Sequence, residues 1–315
     1  MKSLRQIIER VRVHRDQAWA LATLVETRGS TYRKAGARML VDQTGGYIGV
    51  LSGGCLEEEI ARRAVEVIEE APPALVEFDT RRLYGCNGLV RILVERVEPA
   101  GTQGNFLTQL GNGLEHRQCC RLRTCFRGDR EPHGTTMLAP AELVAECDGA
   151  FIHAVPLPVR LLLFGNGPEI APLREFSQAL GWVVYHFTNA SELADHFLPD
   201  TQTAALVMTH QFGRDLSVLD RLLPLKLPYI GLLGPRKRHW QLLQELHTTR
   251  APDPDRLAAL HAPAGLDVGS ESPEEIALSI VSEVCAVLAN RHGGHLRNRT
   301  ESIHMVSATA LEQSA

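Results

Sequence analysis

The second half of the chain alternates apolar runs with amphipathic segments, and no other feature of the sequence constrains the fold as strongly. From Arg160 it reads RLLLFGNGPEIAPLREFSQALGWVVYHF, which predicts a strand, a glycine-containing turn, a helix and another strand. The runs TAALVMTH, PYIGLLG and AGLDV predict further strands, and helical patterns occur at 214–223, 236–247 and 273–291. Buried strands that alternate with helices are typical of an α/β fold, so we expect a parallel sheet covered by helices.

The first turn of this region has the form of a phosphate-binding turn. FGNGPEIA (164–171) follows a strand and begins a helix, which is the setting that such a turn requires. Gly165 permits the turn, and Gly167 leaves room for a phosphate group at the helix N-terminus. The second strand ends HFTN (186–189), without the acid that usually holds a ribose in NAD-binding domains. The turn therefore favours a phosphate-bearing ligand more than NAD itself, and a turn retained only for packing is the alternative.

Two later loops also follow strands, at the edge where open α/β sheets bind ligands. The residues TH at 209–210 end one strand, and GPRKR (234–238) lies between another strand and a helix. His210 and Arg236 are therefore candidate ligand-binding residues, and Arg236 with Lys237 would complement the charge of a phosphate. An exposed basic helix start is the alternative for the two cations.

The first half predicts an α+β domain. Amphipathic spacing predicts a helix over 2–16, and a second helix begins after SGGC and ends near Glu70, before two prolines. The runs AWALATLVE, ARMLVD, YIGVL, ALVEFD and LVRILVERV predict strands, and CCRLRTCF and GTTMLA predict shorter ones farther along. The expected boundaries are an N-terminal domain at 1–98, a connecting region with short strands at 99–158, a second domain at 159–291 and a flexible tail at 292–315.

The stretch LSGGCLEEEI (51–60) combines two glycines, a cysteine and a helix start. Glycines let the backbone turn sharply and approach a ligand closely. Cys55 would lie where the helix dipole and unpaired N–H groups favour an anion, so its thiol should ionise easily. The three acids that follow oppose this, because nearby negative charge disfavours a thiolate. A buried structural cysteine before an ordinary helix is the alternative.

Composition and charge exclude several classes of protein. A net charge of −4 provides no basic field for nucleic acid, and no apolar run approaches the ~20 residues that span a bilayer. The N-terminus lacks the apolar core of a signal peptide, so we expect a cytoplasmic protein. Seven cysteines without a CxxC pair then argue against a disulfide framework. Cys285 lies within an apolar helical pattern, and we expect it in the core.

Several segments, taken in order, resemble the XdhC/CoxI family, whose members are accessory proteins that mature molybdenum hydroxylases such as xanthine dehydrogenase. The resemblance spans about 18–290, and the combination of SGGC followed by acids with GLDVGSESPEEIALSI is highly specific. The segments are GSTYRKAGARMLV (29–41), LSGGCLEEEI (51–60), GCNG (85–88), MTHQFGRDLSVL (208–219), YIGLLGPRKR (229–238) and HAPAGLDVGSESPEEIALSIVSEV (261–284).

The resemblance implies a fold, a function and partners. It implies an N-terminal cofactor-handling domain followed by a Rossmann-like, doubly wound domain with a parallel sheet. It also implies a protein that binds molybdenum cofactor, supports its sulfuration with a cysteine desulfurase and inserts it into an apo molybdenum hydroxylase of the xanthine dehydrogenase type. Such a protein is similar to a chaperone rather than to an enzyme with its own turnover. A homodimer is expected from the frequency of such assemblies.

The resemblance also implies which residues bind the cofactor. The family's SGGC motif falls on Ser52, Gly53, Gly54 and Cys55, with Cys55 as the candidate metal ligand. The family's second turn, usually GCGG, falls on 85–88, where Cys86 is a second candidate thiol and Asn87 departs from the pattern. The glycine turn falls on Gly165 and Gly167, and Thr188 replaces the family's acid after the next strand. Cations around the GST loop would neutralise phosphate and dithiolene charge; they are Arg28, Arg33, Lys34 and Arg38.

Two other functions stay open from the sequence. The first is an NAD(P)-dependent oxidoreductase that uses the glycine turn, although the missing acid counts against it. The second is a thiol-based persulfide carrier with Cys55 and Cys86 as a pair. The ligand of the Rossmann-like domain, a nucleotide among the candidates, is not fixed by its sequence.

Overall fold

The chain divides into two compact units, Met1–Leu157 and Pro158–Ala315, called here the N-terminal and C-terminal units. Residues 99–157, which the sequence sets apart as a connecting region, lie within the N-terminal unit. The computed structural model describes residues 1–29, 31–54, 56–79, 88–101, 104–127, 133–139, 142, 149–249 and 253–300.

The N-terminal unit contains helices, a large sheet and a small sheet. The predicted first helix is found at Lys2–Val13, where its apolar stripe of Leu4, Ile7, Ile8 and Val11 is buried. The described elements are α1 (Lys2–Val13), β1 (Trp19–Gly29), β2 (Arg38–Val41), β3 (Tyr47–Gly49), α2 (Glu57–Ile68), β4 (Ala74–Asp79), β5 (Gly88–Val97), α3 (Phe106–Glu115), β6 (Cys120–Cys125), β7 (Gly134–Leu138) and β8 (Ala150–Val155).

The large sheet of this unit is antiparallel and is covered on both faces. Its five strands have the order β3-β2-β1-β5-β4. Ala20, Ala22 and Met39 pack with α2 on one face, whereas Leu21 and Leu40 pack with α1 and α3 on the other. Part of this second face also meets the small sheet, which has the order β7-β6-β8. The long strands β1 and β5 are therefore buried between layers.

The C-terminal unit is the predicted α/β fold, with a parallel sheet between helices. Its five strands have the order β10-β9-β11-β12-β13. Separate apolar clusters fill the two faces, one formed with α5 and α6 and the other with α4 and α8. The elements are β9 (Arg160–Phe164), α4 (Ile170–Leu180), β10 (Val183–Phe187), β11 (Thr203–Val207), α5 (Phe212–Leu222), β12 (Tyr229–Leu232), α6 (Arg236–Thr249), α7 (Pro254–Leu257), β13 (Leu260–His261) and α8 (Pro273–Leu288).

The order of these strands locates the ligand-binding edge. The chain runs from β9 outward to β10 and then back to β11 on the other side of β9. Open α/β sheets bind ligands at the carboxyl ends of the strands where the order reverses, which here lies between β9 and β11. The turn after β9 contains Gly165 and Gly167, and the loop after β11 contains Thr209 and His210. The predicted glycine turn therefore lies at this switch point.

Two expectations for this unit were wrong. The run AGLDV is not a strand, because Gly265 N–H donates to Glu283 Oε2 of α8 at 2.7 Å. The fifth strand is instead the preceding pair Leu260–His261. Cys285 is exposed, since the buried stripe of α8 runs through Ile280, Val281 and Val284 and the next residue turns away from it.

Glu283 stabilises the conformation of the segment at 261–284, one of those that resemble the family. Its carboxylate also accepts the hydroxyl of Tyr229 at 2.7 Å and lies 3.1 Å from Nδ1 of His261. Two elements of the segment therefore serve structure: this carboxylate, and a capping box at Ser272 and Glu275 that begins α8. Among the described residues, none of the helices has the length and apolar character needed to cross a bilayer.

Candidate functional site

The loop before α2 is organised by a carboxylate from its own helix. Glu57 is buried, and its Oε1 atom accepts the backbone N–H groups of Leu51 at 3.0 Å and Ser52 at 2.7 Å. Its Oε2 atom accepts the hydroxyl of Ser52 at 2.6 Å and the N–H of Leu56 at 3.1 Å. Burial raises the pKa of Glu57, but these hydrogen bonds outweigh it and hold the pKa below its usual value. A charged group therefore fixes the loop at neutral pH.

The tip of this loop is open to solvent. Gly53 and Gly54 are exposed, and Gly54 has a φ of 105°, a conformation that favours glycine. Ser52 Oγ accepts the N–H of Gly54 at 3.2 Å, and this hydrogen bond fixes the backbone at the tip. A Cβ atom on Gly53 would lie 4.0 Å from the ring of Tyr32, whose side chain is 66% exposed. The predicted residues Cys55 and Cys86, with the adjacent Gly85 and Asn87, lie outside the described residues.

The predicted cations around the GST loop separate into two environments. Arg33 and Lys34, which follow Tyr32, are exposed, and so is Arg28, which donates to Glu26 at 2.8 Å. Arg38 is instead 4% exposed, and burial lowers its pKa to about 10. Arg33 and Lys34 are thus accessible to solvent, whereas Arg38 lies in the interior of the unit.

Arg38 is part of a polar cluster between the large and small sheets. Its Nη1 atom donates to Gly36 O and lies 3.1 Å from His153 Nδ1. Glu95 is also buried and accepts the N–H of Thr135 at 2.6 Å. Burial raises the pKa of this carboxyl, against the opposing effects of Thr135 and Arg38. This cluster links β2, β5, β7 and β8, and we assign it a structural role.

His153 makes the stability of this cluster depend on pH. Burial, with a smaller contribution from the positive charge of Arg38, lowers the pKa of His153 to about 4. The unfolded chain therefore binds a proton, with a pKa of about 6.5, that the folded chain does not bind. Between about pH 7 and about pH 5, His153 should lower the free energy of unfolding by about 2 kcal/mol, while the raised pKa of Glu95 acts in the opposite direction. Urea denaturation monitored through tryptophan fluorescence, to which Trp19 of this unit contributes, measures this change. His153→Gln should remove most of the contribution of His153, and an equal pH dependence in that variant would contradict the assignment.

The glycine turn of the C-terminal unit is filled by protein atoms. Gly165 has a φ of 138°, and a Cβ atom there would collide with the carbonyl oxygen of Met208. A Cβ atom on Gly167 would collide with Oε2 of Glu169 and lie 3.3 Å from Nε2 of His210. The first glycine therefore allows the turns after β9 and β11 to touch. The space left by the second contains the chain's own carboxylate.

A buried ion pair fixes the loop that follows β11. The carboxylate of Asp215 is fully buried and pairs with Arg238, whose side chain is 19% exposed. Its Oδ1 atom accepts the N–H of Thr209 at 3.1 Å and the hydroxyl at 2.5 Å. Arg236 and Lys237 are exposed, and so is His210, which has a left-handed φ of 56°. Of the GPRKR segment, Arg238 is therefore the structural cation, and Arg236 stays a predicted ligand-binding residue.

The end of β10 also contains a carboxylate that the sequence did not place there. Glu192 Oε2 accepts the N–H of Thr188 at 3.1 Å, and its Oε1 atom accepts from Asn189 at 2.7 Å. The hydroxyl of Thr188 also donates to Glu192 Oε1, and this hydrogen bond makes the largest contribution to lowering the pKa of Glu192. Its oxygens are engaged in local capping, so Glu192 does not present a free carboxylate to a ribose.

Besides Glu95 of the polar cluster, three buried acids were not predicted from the sequence: Glu57, Glu169 and Asp215. Two of them had a detectable signal. Glu57 precedes buried residues of α2 at spacings of three, four and seven, and Asp215 does the same in α5. An acid in phase with the apolar stripe of a helix is expected to face inward. Glu169 had no such signal, because its burial depends on the fold of the turn.

Comparisons with known proteins agree with both halves of this description. A model of the XdhC and CoxI family matches residues 13–79, and a model of the XdhC Rossmann domain matches residues 161–284. A relative from Bacillus subtilis (strain 168), named as a probable subunit of xanthine dehydrogenase, is 29% identical, over 84% of this chain and 91% of its own length. The molybdenum cofactor insertion chaperone PaoD from Escherichia coli (strain K12) is 27% identical, over 85% and 82% respectively.

A solved structure supports the same assignment. The crystal structure of a protein described as a xanthine dehydrogenase from Bacillus halodurans superposes with a TM-score of 0.76 at 27% sequence identity, and the match covers 92% of this chain and 97% of that one. The two family models lie in different units of the structure and together match more than half of the chain. The chain therefore belongs to the XdhC and CoxI family.

Proposed function

We propose that this protein binds molybdenum cofactor, supports its sulfuration and inserts it into an apo molybdenum hydroxylase of the xanthine dehydrogenase type. The observation that carries the proposal is the similarity, over 85% of the chain, to a relative named as a molybdenum cofactor insertion chaperone. The xanthine dehydrogenase names of a second relative and of a solved structure favour a client of that type. Sulfuration by a cysteine desulfurase is the finer part of the proposal and rests on the family resemblance.

The loop before α2 is the proposed cofactor site. Molybdenum cofactor combines a pterin, a phosphate tail and a sulfur-ligated metal, so its site needs cations and a soft ligand. Gly53 and Gly54 expose the backbone directly before Cys55, which we propose as the metal ligand, with Cys86 as a second thiol. Glu57 already occupies the N–H groups of Leu51, Ser52 and Leu56. We therefore assign the phosphate contact to exposed Arg33 and Lys34 rather than to the start of the helix.

Loss of the Cys55 thiol is expected to lower cofactor retention. Removing a metal ligand should cost at least as much as removing a residue that supports one, about tenfold or more in affinity. The full chain and its Cys55→Ala variant are purified from cells that make molybdenum cofactor, and pterin and molybdenum are measured per mole of protein. We expect at least about a tenfold loss in the variant.

The matched control for this experiment is Cys119→Ala, because Cys119 is an exposed cysteine of the same unit. Equal retention by the wild type and Cys55→Ala would contradict the proposed site. Absence of cofactor from every preparation, followed by failure to activate an apo-hydroxylase with added cofactor, would contradict the function. Omitting the cysteine desulfurase from that activation tests sulfuration separately.

The alternatives are distinguishable in the same preparations. Turnover of NAD(P)H with a defined substrate in the absence of molybdenum would favour an oxidoreductase. A desulfurase-dependent persulfide on Cys55 or Cys86 in a pterin-free preparation would favour a persulfide carrier. A nucleotide ligand for the C-terminal unit stays a prediction, and the position of Glu169 counts against a pyrophosphate beside Gly167.

A further inference from the structure

The switch point of the C-terminal unit contains a buried carboxylate oxygen without a partner. Glu169 is 7% exposed, and its Oε2 atom accepts no hydrogen bond from the described residues. The side chain points back over the turn, since this atom occupies the space where Gly167 would carry a Cβ. Buried polar atoms are nearly always hydrogen-bonded, and an unpaired one costs free energy. An unpaired acceptor at a ligand-binding edge therefore indicates a ligand that supplies a donor.

The same carboxylate disfavours the ligand that a glycine turn usually binds. A phosphate or pyrophosphate would place negative charge against Glu169 at the start of α4, and like charges repel. The dipole of α4 favours one anion at that position, and the Glu169 carboxylate already lies there. The turn therefore has the backbone form of a dinucleotide-binding site, but its negative carboxylate favours a ligand with N–H donors over one with a phosphate.

We propose that this edge of the C-terminal unit binds the amino-pyrimidinone ring shared by pterin and guanine, through hydrogen bonds to Glu169. That ring presents adjacent, coplanar N–H donors, which match the two acceptor oxygens of a carboxylate. His210 borders the same space, with Nε2 at 3.3 Å from the Cβ position of Gly167, and provides a second polar contact. The need for N–H donors rests on Glu169, and the titrations below distinguish pterin from guanine as the source of the ring.

Matched ligands test the proposal by titration calorimetry on the full chain. Pterin is compared with lumazine, which has an oxo group in place of the amino group, and guanosine with inosine, which lacks the amino group. We expect the amino compound of each pair to bind at least about tenfold more tightly, the range of a hydrogen bond to a charged group. The pair with the tighter binding identifies the source of the ring.

Variants assign the effect to one residue. Glu169→Gln should abolish the preference for the amino group and strengthen the binding of inorganic pyrophosphate by about tenfold, because a negative charge is removed. Glu175→Gln, an exposed change in the same helix, should bind as the wild type does. The melting temperature of Glu169→Gln should equal or exceed that of the wild type, since an unpaired buried charge is lost.

Three results would overturn the proposal. The first is that, in both pairs, the amino compound binds no more tightly than its partner: pterin no more tightly than lumazine, and guanosine no more tightly than inosine. The second is tighter binding of pyrophosphate by the wild type than by Glu169→Gln. The third is stoichiometric binding of Zn²⁺ or Mn²⁺ alone that depends on Glu169. Discrimination for the amino group in a protein that never retains molybdenum cofactor would contradict the proposed function and leave this site in place. Retention of molybdenum cofactor without a preference for the amino compounds would contradict this site and leave the proposed function in place.

Discussion

Replacing Arg238 by methionine is expected to lower the free energy of unfolding of the C-terminal unit by about 3–5 kcal/mol. The change leaves the fully buried carboxylate of Asp215 without its positive partner, while a side chain of similar length retains most of the packing. Urea denaturation with tryptophan fluorescence measures the loss, since two of the chain's three tryptophans, Trp182 and Trp240, lie in this unit.

Two controls separate the ion pair from other effects. Arg236→Met changes an exposed arginine of the same helix and should stay within about 0.5 kcal/mol of the wild type. The double variant Asp215→Leu with Arg238→Met removes both charges and should recover part of the stability lost by Arg238→Met alone. A double variant that loses the sum of the single changes would show that the residues do not act as a pair.

Replacing Glu57 by alanine is expected to lower the free energy of unfolding by about 3 kcal/mol or more, because several hydrogen bonds to one charged group are lost and each contributes about 1.5–3 kcal/mol. The backbone N–H groups of Leu51 and Ser52 would then lose this acceptor, and that of Leu56 would retain only Ser52 Oγ, at 3.2 Å. The loop that presents Gly53 and Gly54 would no longer be fixed, so retention of molybdenum cofactor should fall with stability. Denaturation and cofactor content of the same preparation measure the two effects together.

The matched variant for this prediction is Glu58→Ala, which removes an exposed acid from the next position of the helix. It should change stability by less than about 0.5 kcal/mol and leave cofactor content unchanged. Glu57→Gln, which retains one carbonyl acceptor, should give an intermediate result. Full cofactor retention in a destabilised Glu57→Ala protein would show that the loop does not form the binding site.

The sequence predicted the α/β half well because its signals are local. A buried strand, a glycine turn and an amphipathic helix each occur within a few residues, and the structure has them at Arg160–Phe164, 165–169 and Ile170–Leu180. The prediction of a strand at AGLDV was wrong because only Ala264 bonds to β12, through its N–H to Leu232 O at 3.0 Å, whereas the next residue, Gly265, bonds to Glu283 of α8. Such a tertiary contact overrides the local preference of an apolar run.

The candidate site was predicted less completely, for a related reason. The sequence places Glu57 near Cys55 as a repelling charge, but the direction of its side chain depends on the rotation of α2, which turns it toward the loop. Gly167 predicts open space, and that space is filled by a residue only two positions later. The sequence shows which residue types are present, whereas their hydrogen-bond partners depend on how neighbouring elements pack.

The helix α8 sets an order on how the C-terminal unit can be made. Leu161 of β9 and Leu206 of β11 pack in one cluster with Ile280 and Val284 of this helix, which is the last long element among the described residues. During synthesis Leu161 leaves the ribosome more than a hundred residues before Ile280, and Leu206 leaves it more than seventy residues before Ile280. The part of this face that α4 does not cover therefore stays exposed until α8 has been made, and nascent chains that stop before 273 are expected to aggregate or to be bound by chaperones.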